Sequence, residues 1–524
     1  MSLKAASMAV VLVLAASPAG ATGFTDIGQD LVPETETWVQ VHGALRVRGE
    51  LLWNLDLDRG LTPSGRALFP VPLEDTTRQD VWNADMRVRT DLAFYAPFGA
   101  MAVKLRIDAF DNLALGSTPD GIPSASSSQR PPEDVLRIKR AYGEVLTPFG
   151  LLAAGRMGAH WGLGMLTNGG DCADCDSGDA ADRIAFITPL LGHIWAVAYD
   201  FSSVGPTTKR VGSSRVVDFE PSDNVHTISF AFMAWRSDLA RERRRKAGKT
   251  TVDYGLLFSH RWQENDIPAS WVSLAQPLTR YDSSQVMARG FTATAFDGWV
   301  RVTHPDLRIE AEAAVLLGSV EQASLIPGAL LREGVESLQV GVALESEFGA
   351  LEGPVSGGLD AGYASGDPAP GFGAVAAGNA AYGAPGELDG AQALPPHDLR
   401  NDNFRFHPDY RVDRILFREI IGTVSDAVYV RPHVTWRFLD LGAGRFSASL
   451  AAIASFAVES ASAPGGESPL GLELDPTLVY ESRDGFLLAL DYAALFPFSG
   501  LDNPAAGLTA RPAQLARLRV HFAF

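Results

Sequence analysis

Five aspartates and the chain's two cysteines share one short stretch, GGDCADCDSGDAAD, with no basic residue among them. Asp171, Asp174, Asp176, Asp179 and Asp182 form a dense set of oxygen donors, and clustered carboxylates suit Ca²⁺, which takes about six to eight oxygens. Their spacing lacks an EF-hand's pattern, so a solvated acidic loop stands as the alternative. Cys172 and Cys175 have no further zinc ligands nearby. A local disulfide between them fits an oxidising compartment, and no other cofactor is expected.

A second set of charges recurs with period two. Arg46, Arg48, Arg87, Arg89, Lys104, Arg106, Arg137, Lys139, Arg140 and Arg156 come early, and Arg517 and Arg519 lie in the terminal ARLRVHFAF. Between them stand Glu50, Asp85, Asp91, Asp108 and Glu144, fewer in number. Later segments carry Glu310, Glu312, Glu345, Glu473, Asp475 and Asp491 at the polar parity. Alternation puts such residues on one face of a strand. If the other, apolar parity faces lipid, the basic set forms one wall of a lumen and the acidic set another. Such a split orients polar solutes and favours anions along the basic wall. The alternative is cross-strand pairing that only holds the barrel's shape. Closure of the first strand on the last is expected to bring Arg46 near Arg517.

Catalytic chemistry finds little support. His42, His160, His433 and His521 share the inward parity, but Ser259 and His260 are adjacent and point to opposite faces, so they cannot act as nucleophile and base. The chain is read as a non-enzyme, and its net charge of −18 argues against nucleic-acid partners.

The elements that must hold these charges are long strands. WVQVHGALRVRGEL, WNADMRVRTDLAF, VKLRIDA, LRIEAEAAV, SLQVGVALE and GLELDPTLVY all alternate. Many runs reach the length of about nine residues or more that a tilted strand needs to cross hydrocarbon. Short turns (PFG twice, HPD, GAG, SRDG) alternate with long polar loops at about 56–80, 116–133, 168–182, 203–223 and beyond 366. That is the pattern of an all-β, transmembrane antiparallel β-barrel with short periplasmic turns and long extracellular loops. About 18 strands are counted, within 16 to 20, which brings both termini and the basic ARERRRKAGK segment to the periplasmic side. Trp38, Phe98, Phe149, Trp195, Trp235, Phe496 and Phe498 suit interfacial girdles.

Residues 1–21 read as a secretory signal peptide, with Lys4, an apolar run and small residues at Ala19 and Ala21; residues 22–524 are the barrel. A strand ending on Phe524 resembles the C-terminal signal by which the barrel-assembly machinery receives outer-membrane proteins. The opening of GRMGAHWGLGMLTNGG, with DRIAF after it, resembles elements of the alginate-export type of outer-membrane porins. That resemblance implies an 18-stranded barrel with an arginine-lined anion path, and Arg156 and Arg183 at the lumen or its rim. DYRVDRILFREIIG resembles an uncharacterised myxobacterial family of predicted outer-membrane proteins. The expected function is a porin-like channel in the outer membrane of a Gram-negative bacterium, in contact with lipid, for small anionic or polar solutes, acidic saccharides among them. The alternative is a non-conducting structural or surface-interaction barrel. The fold of segment 366–424 discriminates, since a loop sealing the lumen favours the second.

Overall fold

The computed structural model describes residues 23–24, 27, 37–63, 65–72, 79–96, 100–116, 136–209, 212–218, 220–267, 285–324, 330, 333–349, 353–371, 385–387 and 399–524. The expected signal peptide and most of residues 372–398 lie outside them, as does Phe98.

Alternating sequence becomes long strands. The first seven are β1 (Trp38–Trp53), β2 (Asp80–Tyr95), β3 (Met101–Ala114), β4 (Leu136–Thr147), β5 (Gly150–Gly158), β6 (Ala180–Leu190) and β7 (His193–Ser203). A small hairpin, β8 (Thr207–Lys209) and β9 (Val216–Asp218), forms its own sheet. Then come β10 (Val225–Ala234), helix α1 (Asp238–Lys246), β11 (Thr251–Asp266), β12 (Met287–His304), β13 (Leu307–Val320), β14 (Val335–Phe348) and β15 (Val355–Ala364). The last five are β16 (Ala427–Asp440), β17 (Gly444–Ala457), β18 (Pro469–Ser482), β19 (Phe486–Pro497) and β20 (Ala513–Ala523). Except for β8 and β9, each strand pairs antiparallel with its neighbours and β1 pairs with β20, so 18 strands close into a barrel.

Closure leaves no sheet edge, which is what lets strands cross hydrocarbon. The outward face is apolar: Val39, Val41, Val197, Phe230, Leu256, Phe296, Val342, Leu450, Leu488, Leu490 and Leu518 are all exposed. Aromatic pairs gather at the turn side, Trp195 with Phe232 at 4.7 Å, Phe446 with Tyr480 at 4.7 Å and Phe486 with Phe522 at 5.1 Å. An apolar band bounded by aromatic residues on a closed antiparallel barrel is the form taken in the outer membrane of Gram-negative bacteria, and the chain is such a protein. Trp235 departs from the expected girdle. It packs on an interior cluster with Met233 and Trp299, and Arg241 lies 5.7 Å over its ring.

The seam sets Arg46 opposite His521, Arg48 opposite Arg519 and Glu50 opposite Arg517. The expected meeting of Arg46 and Arg517 is therefore displaced along β20. In its place Arg517 Nε donates to Glu50 Oε1 at 2.5 Å, an attraction between opposite charges instead of a meeting of two guanidinium groups. Phe524 closes the seam: its N–H and C=O both bond Gly43 at 2.9 Å. A Cβ on Gly43 would lie 2.4 Å from the Phe524 ring, so only glycine fits beneath it.

Arg137, Lys139 and Arg140 cannot share a face in a regular strand. A register shift between Arg106 and Ile107 resolves this, setting Arg140 opposite Arg106 and Arg137 opposite Asp108. Arg156 keeps the outward parity of Leu152 and pairs with Asp182 at 2.7 Å, both half-exposed. It is a rim residue and leaves the lumen wall on which it was expected.

Candidate functional site

Two long connections do not stay outside. Residues 159–179, between β5 and β6, turn into the barrel because they carry their own apolar anchors. Trp161 is 1% exposed and its ring lies against Gly255, whose missing side chain makes the room. Met165 is fully buried with Leu163 beside it in a second cluster. The wall receives the loop's backbone. Trp161 Nε1 donates to Asp297 at 3.1 Å, and Glu312 accepts from the N–H groups of Leu163 (2.5 Å), Leu166 (3.3 Å) and Met165 (3.4 Å).

The acidic tip of this loop meets the basic wall. Arg46 reaches Asp176 at 2.9 Å and Asp85 at 3.3 Å, and Arg48 reaches Asp85 at 2.8 Å, Asp176 at 3.1 Å and Asp174 at 3.2 Å. Arg106 and Arg140 share Asp171, Arg140 at 3.0 Å. Arg87 and Arg89 donate to the carbonyls of Cys175 and Gly170, each at 2.6 Å. Cys172 and Cys175 are joined by a disulfide at this tip. Burial pushes the Asp174 carboxyl up, yet Arg418, Arg519, Arg411 and Arg517 hold it well below the usual carboxylate range. Asp171 and Asp176 are depressed for the same reason, against their burial. Among the described residues Asp179 has only His407 Nε2, at 3.5 Å, as an ionic partner, and Asp182 belongs to Arg156 at the rim. Four of the five aspartates thus pair with arginine and Asp179 lies beside His407, and the described residues contain no group of three or more acidic, His or Cys side chains arranged to hold a metal.

Residues 399–426, between β15 and β16, do the reverse. Phe404, Phe406, Ile415, Leu416 and Phe417 are buried in one apolar cluster with wall residues of β13, β14, β17 and β20. Arg414 of this loop meets the acidic wall. Arg414 reaches Asp491 at 3.1 Å and Thr477 at 2.6 Å, and Glu473 accepts the backbone N–H groups of Arg414 and Ile415 at 2.8 Å and Leu416 at 3.0 Å. Asp475 lies 3.8 Å from Arg414, and Arg519 holds Asp491 at 2.6 Å. Glu310 pairs with Arg301 at 2.6 Å and Arg308 at 2.7 Å, and Glu345 with Arg308 at 2.9 Å. Lys104 pairs with Glu144 at 2.8 Å, Arg137 and Lys139 with Asp111 at 3.4 and 2.7 Å.

The two loops also hold each other. Arg418 reaches Asp174 and Arg411 reaches Asp176, both at 2.6 Å, while Asp176 N–H donates to Asp409 at 2.9 Å and His407 N–H to the Met165 carbonyl at 2.7 Å. The acidic tip of one loop therefore faces the basic wall and Arg414 of the other faces the acidic wall, and together the loops form a partition across the barrel. A cavity of about 800 Å³ lies on the extracellular side of the 159–179 loop, lined by Thr227, Ser229, Ser259 and Arg261 among others. Another of about 460 Å³ lies toward the periplasm, lined by six arginines, 308, 411, 414, 418, 431 and 519, against five carboxylates.

Arg411, Asp413, Arg414 and Arg418 were not singled out by charge reasoning. Their signal was available: a long connection that carries Tyr410, Val412, Ile415, Leu416 and Phe417 is too apolar for a solvated loop. Ser259 and His260 do point apart, Ser259 toward Ser229 and His260 toward Thr294.

No family model and no curated protein matches the chain. Among solved structures it is similar to OccK9 (OpdG) of Pseudomonas aeruginosa, 12% identical over 93% of this chain and 98% of that one with a TM-score of 0.45. OpdK, an outer membrane protein of the same organism, is 12% identical over 93% and 99%, with a TM-score of 0.43. The outer membrane channel DcaP of Acinetobacter baumannii is 13% identical over 94% and 100%, with a TM-score of 0.38.

Proposed function

We propose that the barrel is a narrow, porin-like channel whose partition passes small anionic solutes, acidic saccharides included. One observation carries the reading. Arg411, Arg414 and Arg431 each leave a buried Nε–H without a hydrogen-bond acceptor among the described residues, and all three line the 460 Å³ cavity. These donors are closed to solvent in the resting barrel, so a carboxylate or other oxyanion entering the cavity would meet the convergent charge of its six arginines. In this reading the loop aspartates are counter-ions to arginine and not calcium ligands. Residues 1–21 export the chain, and the terminal strand presents it to the assembly machinery.

The test replaces Arg414 and Arg431 by Gln and measures the reversal potential across a planar bilayer in a salt gradient. Anion preference should fall at least threefold while the barrel keeps its heat-modifiable mobility. Unchanged selectivity would remove these arginines from the path. The inward fold of residues 399–426, with its apolar cluster, also favours the second reading, a plugged barrel that binds a partner through its loops. An absence of conductance at every voltage would select it.

A further inference from the structure

Glu312 on β13 and Glu473 on β18 are each 1% exposed, and neither has an ion-pair partner among the described residues. A buried carboxylate must be compensated, and backbone N–H groups can do so. In both cases a loop supplies three backbone donors, amides of residues 163–166 on Glu312 and of residues 414–416 on Glu473, beside a hydrogen bond that each glutamate shares with a wall acid, Asp297 and Asp475 respectively. Carboxylate and loop are mutually dependent, because these amides are buried or partly buried and no other acceptor for them stands among the described residues. The neighbouring acids do not substitute. Asp297 is engaged by Trp161 Nε1, and Asp413 accepts from Phe417 and Arg418 N–H within its own loop.

We propose that Glu312 and Glu473 are the positioning residues of the partition: each latches one inward loop by its backbone, and releasing either latch widens the passage. The inference rests on the reading of the loops as the element that sets permeation. Recognition through main-chain amides makes the latch indifferent to loop side chains, so the loops' arginines and aspartates remain free to face each other and a solute.

The experiment uses the full barrel in planar bilayers and in detergent, with Glu312→Ala, Glu473→Ala and the conservative Glu473→Gln, which keeps one acceptor oxygen. Heat-modifiable mobility checks the barrel, and trypsin reports loop release by cutting after Arg411, Arg414 and Arg418. Released loops should raise single-channel conductance at least threefold and speed tryptic cleavage at least tenfold in Glu473→Ala, with Glu473→Gln between it and the wild type. A silent wild type that conducts once Glu473 is replaced would support the latch while overturning the resting channel. Unchanged conductance and unchanged cleavage in a folded Glu473→Ala barrel, or in Glu473→Gln if the alanine variant does not fold, would overturn the latch itself.

Discussion

Replacing Asp174 by Asn removes one negative charge from the point where both loops and the basic wall converge. Asp174 lies 2.6 Å from Arg418, 3.2 Å from Arg48, 3.5 Å from Arg411 and 3.8 Å from Arg517. Breaking a buried pair from one side costs about 3–5 kcal/mol, because the remaining cations lose their counter-charge. Asp171, Asp176 and Glu312 still hold the loop, so the barrel should fold and the deficit should be met by an anion drawn from solution. At an effective dielectric of about 20, an anion about 10 Å away gains about 1–2 kcal/mol from the change, or roughly tenfold in occupancy. The assay is the reversal potential together with the concentration at which chloride current saturates. Anion preference should rise and half-saturation should fall by roughly tenfold. Mild acid should not reproduce this. The Asp174 carboxyl is depressed in the folded state, so its contribution is present above the usual value near 3.8 and is lost only as pH falls below it, and the wild type should keep its selectivity from pH 7 to about 4. A variant with lowered anion preference, or a wild type that shifts at pH 5, would refute the electrostatic reasoning.

Three further outcomes follow from other parts of the molecule. Gly43→Val should force the Phe524 ring off the seam at a cost of about 1–3 kcal/mol and slow assembly into heat-modifiable barrel, and deletion of Phe522 to Phe524 should impair assembly more severely; normal yield in both would remove the seam from the insertion signal. Calorimetric titration with Ca²⁺ should show no saturable site at millimolar metal, since Asp171, Asp174 and Asp176 are held by arginine; a site that weakens in Asp176→Asn would restore the calcium reading. Burial, with Asp218, Glu220 and Asp266 beside it, pushes Asp223 up to about 6, so its stabilising protonated form is lost as pH rises through that value, and Asp223→Asn should raise the melting temperature at pH 8 while changing little at pH 4.

Period two carries the barrel because it is a local property. LRVRGEL, MRVRTD and VKLRID each state which face meets lipid, and the strands built from them include the residues expected on their inward side. The partition is not local. Asp174 meets Arg418 across 244 residues of sequence, and no periodicity in either loop encodes that meeting. Taken alone, the charges of the acidic stretch suit an external or metal-binding loop; their complement is the arginine wall, and the apolar Trp161, Leu163 and Met165 that carry the loop inward precede the aspartates. The apolar residues 415–417 give the same hint in the second loop. Arg156 and the seam register fail for simpler causes: GLLAAGRMG has no clear alternation of polar and apolar residues to mark a face, and strand offset is not set by hydrophobic alternation.

Whether the two inward loops leave an anion-selective passage is tested most directly by reversal potential. Purified barrel in a planar bilayer, under about a tenfold salt gradient at neutral pH, should conduct and reverse at a potential of the sign set by anion flow. That potential should move toward zero when Arg414 and Arg431 become Gln. Cation preference in the wild type, or a barrel that never conducts, would contradict the channel.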